Sequence, residues 1–267
     1  MPEPKRAQIS GPRHESVVRT LLVALIVSLF CSSLVASASV LLKPRQVANA
    51  RLEMRRNILG VADVPAGGNM EQRFRSIEPR VVDLDTGEYV QDVDPTRFDP
   101  IQAARDPSRS TAIPPDLDIA RLGRRPNRAL VYLVRRDEQL HRIVLPVWGH
   151  GLWSMLHGFV ALEADARTIA AITFYSHGET PGLGDFIGKP AWQALWRGKK
   201  LYDPSGDVAI RVVKGHVPPD DPRAEFLVDG VSGATLTGNG VTNLMRYWFG
   251  EHGYRPYLRK LSGGQEP

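Results

Sequence analysis

Residues 229–250, DGVSGATLTGNGVTNLMRYWFG, hold a turn of small and hydroxyl-bearing residues that runs directly into a helical pattern. Val241, Leu244, Met245 and Trp248 fall at i, i+3, i+4 and i+7, so they share one apolar helix face. Gly250 reads as the stop after the helix, and Thr237 or Asn239 as its N-cap, which leaves Thr235 in the preceding loop. Backbone N–H groups at such a start point outward and favour a phosphate, while Gly230 and Gly233 give the turn its backbone freedom. The same residues also read as a plain helix start whose small side chains serve close packing.

Working outward, Ala129 to Arg135 and Arg142 to Val147 read as two strands joined through Arg136, Asp137 and Glu138. Phe159 to Glu163 and Thr168 to Tyr175 form a second hairpin around Asp165. Pro190 opens a short helix to Trp196, and Asp207 to Val213 and Glu225 to Val228 supply further strands. Upstream, Gln46 to Leu59 reads as a helix ending at Gly60. The density of Pro, Asp and Arg from Asp92 to Arg128 predicts an extended surface loop. Strands followed by helices, without strict alternation, predict an α+β fold with a mixed, largely antiparallel sheet.

Two further stretches offer chemistry. Glu179, Thr180, Pro181, Gly182, Leu183 and Gly184 form a turn by composition, because Pro sets φ and the glycines accept unusual backbone angles. Gly151, Leu152 and Trp153 place an indole beside a strand, where it could flank a flat ring or pack in the core. His150, His157 and His177 lack the spacing or attendant ligands of a metal site, so no metal is expected.

The run DGVSGATLT resembles the flavinylation signature of bacterial membrane electron-transfer proteins. With GLWSMLHGFVAL (151–162), HGETPGLG (177–184), GYRPYLRKL (253–261) and NILGVADV (57–64), the chain resembles the C-type subunits of sodium-translocating NADH:quinone reductases. The resemblance implies FMN joined covalently, through its phosphate, to Thr235 by a flavin transferase that uses FAD, with Ser232, Gly233, Ala234, Leu236 and Thr237 around the attachment. It implies that the loop 179–184 packs against the isoalloxazine ring, Leu183 giving apolar contact, with 151–153 nearby. It further implies a one-electron relay, with no bond chemistry of its own, among the other subunits of a sodium-exporting complex. The G-type subunits of the related ferredoxin:NAD complex share the SGAT and ETPGLG elements; the GLWS segment and the GYRPYL ending favour the quinone reductase.

From Thr20 to Leu42 there are 23 residues without a charge, and at ~1.5 Å rise each they span the ~30 Å hydrocarbon core of a bilayer. A cleaved signal peptide ending at Ala36, Ser37 and Ala38 is the competing reading. Cationic residues flank the run almost equally, four before it and five after, so charge alone leaves orientation open. The family resemblance implies an inner-membrane protein with a cytoplasmic tail (1–19), one membrane helix (20–42), a membrane-proximal helical and loop region (43–128), a periplasmic FMN-binding domain (129–262) and a short tail (263–267).

The chain's net charge of +5 does not indicate a nucleic-acid partner. Residues 1–60 hold nine Lys and Arg against three acids, a local +6 that leaves about −1 for the rest, and the excess flanks the apolar run, where headgroups lie. The lone Cys31 sits inside that run. Gly230 to Ala234 loosely matches a hydrolase nucleophile elbow, but beyond Ser232 the chain has His252 and no aspartate. A membrane-anchored binding domain without flavin is the rival of another class.

Overall fold

The computed structural model describes residues 17–64 and 67–264. Most of the expected tail 1–19, with Lys5, Arg6 and Arg13, lies outside them, as do residues 265–267. The chain divides into two compact units, Met1–Leu52 and Glu53–Pro267.

Helix α1 (Val17–Ala62) is 46 residues long. Its most apolar eighteen-residue window has mean hydropathy 2.4 and no buried share, and Leu21, Leu25, Leu29 and Phe30 are exposed. Length and composition suffice to cross a bilayer. The two helices expected over 20–42 and 46–59 are one here. The chain continues through Pro44, although its ring removes a backbone donor and crowds the carbonyl four residues before it.

In the second unit, α2 (Met70–Phe74) starts with a capping box between Asn69 and Gln72. Strand β1 (Ile77–Asp83) follows, then α3 (Pro100–Arg105), capped by Asp99, and a small pair, β2 (Ser110–Ala112) with β3 (Arg124–Pro126). The stretch expected as helix and loop thus contributes strands. Its isolated Pro and Asp residues serve as caps and Asx turns, with Asp94, Asp99 and Asp106 each accepting backbone N–H bonds two or three residues on.

Strands β4 (Arg128–Arg136), β5 (Gln139–His150), β6 (Met155–Glu163) and β7 (Ile169–Ser176) complete an antiparallel sheet of order β1-β4-β5-β6-β7. Alternate residues face two cores. Val131, Leu133, Ile143, Leu145 and Val160 look into the larger one, with Trp196, Trp248, Phe249, Tyr254 and Tyr257. Leu130, Tyr132, Val144, Phe159 and Ala161 look into the other, with Ile58, Leu59, Val61 and Ala62. Burial on both faces is why β4 reads as the unbroken apolar run ALVYLV.

After β7 come a 3-10 turn (Gly184–Gly188), α4 (Pro190–Gln193) with a 3-10 extension to Trp196, and two very short strands, β8 (Arg211–Val212) and β9 (Leu227–Val228). These two pair in parallel; the strand expected over 207–213 is reduced to Arg211–Val212, and the one expected over 225–228 to Leu227–Val228, because Ala224–Phe226 form a 3-10 turn. Helices α5 (Thr235–Trp248) and α6 (Arg255–Ser262) close the chain.

Candidate functional site

Helix α5 is placed by its own apolar stripe. Val241, Leu244, Met245 and Trp248 are fully buried, Trp248 lies 4.2 Å from Trp148 between ring centroids, and its indole N–H donates to the Trp148 carbonyl at 2.6 Å. Close approach needs two glycines. A Cβ at Gly149 would lie 3.2 Å from Leu244 Cβ, and one at Gly240 would lie 2.7 Å from the His150 carbonyl oxygen and 2.8 Å from Gly151 Cα. Gly240→Ala therefore drives α5 off the end of β5, and we expect it to cost about 3 kcal/mol, read as a lowered midpoint in urea unfolding.

That packing carries the first turn of α5 over the turn 151–154 and beside the loop 179–184. Glu179, 4% exposed, is the joint between them. One carboxylate oxygen accepts from the N–H of Trp153 (3.0 Å) and Ser154 (3.4 Å), the other from the N–H of Leu152 (3.3 Å) and the Thr237 hydroxyl (2.6 Å). Burial pushes this carboxyl's pKa up, but the four donors outweigh burial and hold it below its ordinary value. The glycines on either side permit the clamp. A Cβ at Gly151 would fall 2.5 Å from the Glu179 Oε1, and one at Gly184 would fall 2.7 Å from the Thr237 Oγ.

Thr237 is therefore not an N-cap, because its hydroxyl is spent on Glu179. Thr235 is the first residue of α5, not a loop residue, and the cap position falls to Ala234, which has no side chain able to bond the first-turn amides. Those amides carry partial positive charge with no side-chain partner. Asn239, the other expected cap, lies within the helix.

Thr235 and Ser232 are exposed, and Gly233 takes a left-handed φ of 84°. Leu183 reaches this turn, its Cδ2 lying 3.5 Å from where a Gly233 Cβ would stand. The loop bearing Leu183 turns at Gly182, with φ of 78°, whose N–H donates to Asp185 at 3.0 Å, and at Thr180, whose carbonyl accepts from Leu183 and Asp185. Thr180 and Pro181 are exposed. Four large exposed side chains on these loops are apolar: Trp153 at 68%, Leu236 at 60%, Leu183 at 47% and Leu152 at 40%. An open apolar rim thus lies on one side of an exposed hydroxyl at a positive helix end.

Contacts from residues 192 and 213–217, which carried no sequence signal, complete the site. A cavity of about 60 Å³ opens beside Thr235, walled by Val213, Lys214, Gly230 and Asn239. Asp229 accepts the Val217 N–H at 2.9 Å and lies 2.8 Å from His216 Nδ1. Its carboxyl, though burial raises it, is held below the usual range by these two partners. Trp192 donates its indole N–H to the Asp229 carbonyl at 2.7 Å. Among the described residues no group of His, Cys, Asp and Glu is arranged to hold a metal.

Residues 151–250, which span all three loops, match the FMN-binding domain family. The class is therefore that of a flavoprotein whose FMN-binding domain is built on an antiparallel sheet. The chain belongs to the NqrC family, the C-type subunits of the Na(+)-translocating NADH-quinone reductases, and so is part of an oxidoreductase complex. It is 46% identical over 257 residues to the family member from Pseudomonas aeruginosa, covering 94% of this chain and 98% of that protein. With the member from Yersinia pestis it shares 47% over 260 residues, 95% and 96% of the two chains. The crystal structure of Shewanella oneidensis NqrC superposes with a TM-score of 0.75 at 41% identity, covering 81% of this chain and 99% of that one.

Proposed function

We propose that Thr235 carries FMN through a phosphoester to its hydroxyl, and that the chain relays single electrons between NADH oxidation and quinone reduction coupled to sodium export. The observation that carries this is the exposed Thr235 hydroxyl at the uncapped start of α5, on the side of the loops that bear the exposed apolar Leu152, Trp153, Leu183 and Leu236. These residues fit the group. The first-turn amides and Lys214 would hold the phosphate, and the rim would cover the ring and exclude water from part of it. FMN supplies the one-electron chemistry when bound; the protein supplies position and electrostatics. Glu179 keeps Leu152 to Ser154 and Thr237 in one arrangement, so the rim is preorganised.

A hydroxyl is a weak nucleophile unaided, so a separate flavin transferase must load Thr235 from FAD. We assign α1 as a single membrane pass with the N-terminus cytoplasmic and the flavin domain periplasmic, where a tethered cofactor cannot be lost. The test is denaturing electrophoresis of the chain, expressed with and without a flavin transferase and viewed under ultraviolet light. Covalent fluorescence should require the transferase and map to the tryptic peptide 224–246. A dark band with active transferase, or fluorescence on another peptide, refutes the assignment.

A further inference from the structure

The cavity beside Thr235 opens into a groove along the outer side of α5. The groove is lined first by Arg211, Lys214, Asn239, Thr242, Asn243 and Arg246, with a volume of about 550 Å³. It continues past Arg211, Thr242 and Arg246 to Arg223 in a second hollow of about 400 Å³. No acidic side chain lines the cavity or either hollow. Arg211, Lys214 and Arg246 are exposed. Among the described residues none of the three pairs with a carboxylate, whereas Arg125, Arg128, Arg142, Arg255 and Arg259 of the same unit all do. Asp221, which feels the charge of Arg211, is itself engaged by Arg223 at 3.1 Å.

A stripe of unneutralised cations on a unit whose charges otherwise nearly balance focuses its field outward and favours an acidic protein surface. The stripe starts at Thr235, while the apolar rim lies toward Leu152 and Leu183. We propose that this groove docks an acidic surface of the enzyme that loads flavin onto Thr235. The proposal rests on Thr235 being the flavin-bearing residue. In the loading step a bond forms between Thr235 Oγ and the flavin-side phosphorus of FAD, the diphosphate P–O bond breaks, AMP leaves, and the hydroxyl proton passes to water.

The test uses the full chain, expressed without transferase and purified in detergent, with purified flavin transferase and FAD. Covalent fluorescence is followed in time for the wild type, R211E/R246E, the conservative R211K/R246K, and R197E, which reverses an exposed charge away from the groove. Reversal should lower kcat/KM for the chain by about tenfold or more at low salt, chiefly through KM, with the final extent of loading unchanged. The gap should close toward 1 M salt, where screening reaches ~3 Å. R211K/R246K and R197E should match the wild type. Equal kcat/KM for R211E/R246E at low salt, or a loss that salt does not alter, overturns the proposal. So does a variant that loads normally but fails to join the complex, because the groove would then face a different protein of that complex. A wild-type chain that never acquires flavin refutes the Thr235 assignment itself and the docking proposal with it.

Discussion

We expect Thr235→Ala to fold and melt like its parent and to carry no covalent flavin. The hydroxyl is exposed and bonds to no described residue, so its removal leaves no buried group unpaired. Alanine is at least as good a helix former as threonine in a first turn, and we expect the melting temperature to stay within about 2 °C, since surface changes of this kind rarely exceed ±0.5 kcal/mol. Loss of label is complete because a phosphoester needs the oxygen. Thr235→Ser restores an oxygen in the same place and should restore labelling. The measurements are ultraviolet fluorescence of the denatured band and a thermal melt of the same preparation. Flavin that survives denaturation on Thr235→Ala would move the attachment elsewhere.

Glu179→Ala has the opposite profile, with a large loss of stability. It strips the acceptor from the Thr237 hydroxyl and from the amides of Leu152, Trp153 and Ser154 in a site that is 4% exposed. We expect a cost of about 3 kcal/mol, equivalent to about 10 °C in melting temperature for a domain of this size. Glu179→Gln should be intermediate, because the amide oxygen can serve Trp153 and Ser154 while the NH₂ meets the Leu152 N–H, donor against donor.

The pH dependence separates charge from shape. The folded carboxyl sits below its ordinary value of 4.5, so its stabilisation is fully present above that value, where the unfolded carboxyl is ionised too. It is lost as pH falls from there through the folded value. The parent should therefore lose stability in acid more steeply than Glu179→Gln. Equal slopes between about pH 3 and pH 6 would mean that Glu179 acts by shape alone.

The two substitutions divide the site into a reactive group and its support. Thr235 is chemically prominent and structurally idle, since α5 would begin there with almost any residue. Glu179 is buried, and through the amides of Leu152 and Trp153 and the Thr237 hydroxyl it sets the relative position of the rim and the first turn of α5. The setting of the exposed hydroxyl depends on a buried carboxylate whose bond to Thr237 spans 58 residues of sequence.

Much of this was legible in the chain itself. Strands β4 to β7 and the apolar face of α5 follow from side-chain periodicity, because burial selects apolar residues at the period of the backbone that carries them. The glycine-rich turns at 182 and 233 follow from backbone angles that only glycine accepts at low cost. Thr235 and its neighbours stand in a short contiguous motif, and local order in sequence becomes local order in space. The apolar length of residues 20–42 is likewise a property of composition alone.

Other features depended on contacts between distant residues. Thr237 has the right identity and place to cap α5, and local rules assign it that task; tertiary packing gives its hydroxyl to Glu179 at 2.6 Å instead, and the cap falls three residues earlier, at Ala234, so that the helix begins at Thr235. Strand β1 was hidden in a polar, Pro-bearing stretch because an edge strand pairs along its whole length with β4 alone, its other side meeting only residues 87–90 near its end, and so tolerates Pro79. The cationic groove joins residues 211–214 to Arg246 only after α5 has packed beside β8. Sequence by itself determined strands β4 to β7, the apolar face of α5 and the exposed hydroxyl-bearing turn before it, since periodicity and local turn geometry are encoded within a few residues. Only the tertiary structure decided which carboxylate, cations and apolar side chains surround that oxygen, because hydrogen bonds and packing join groups that the chain keeps far apart.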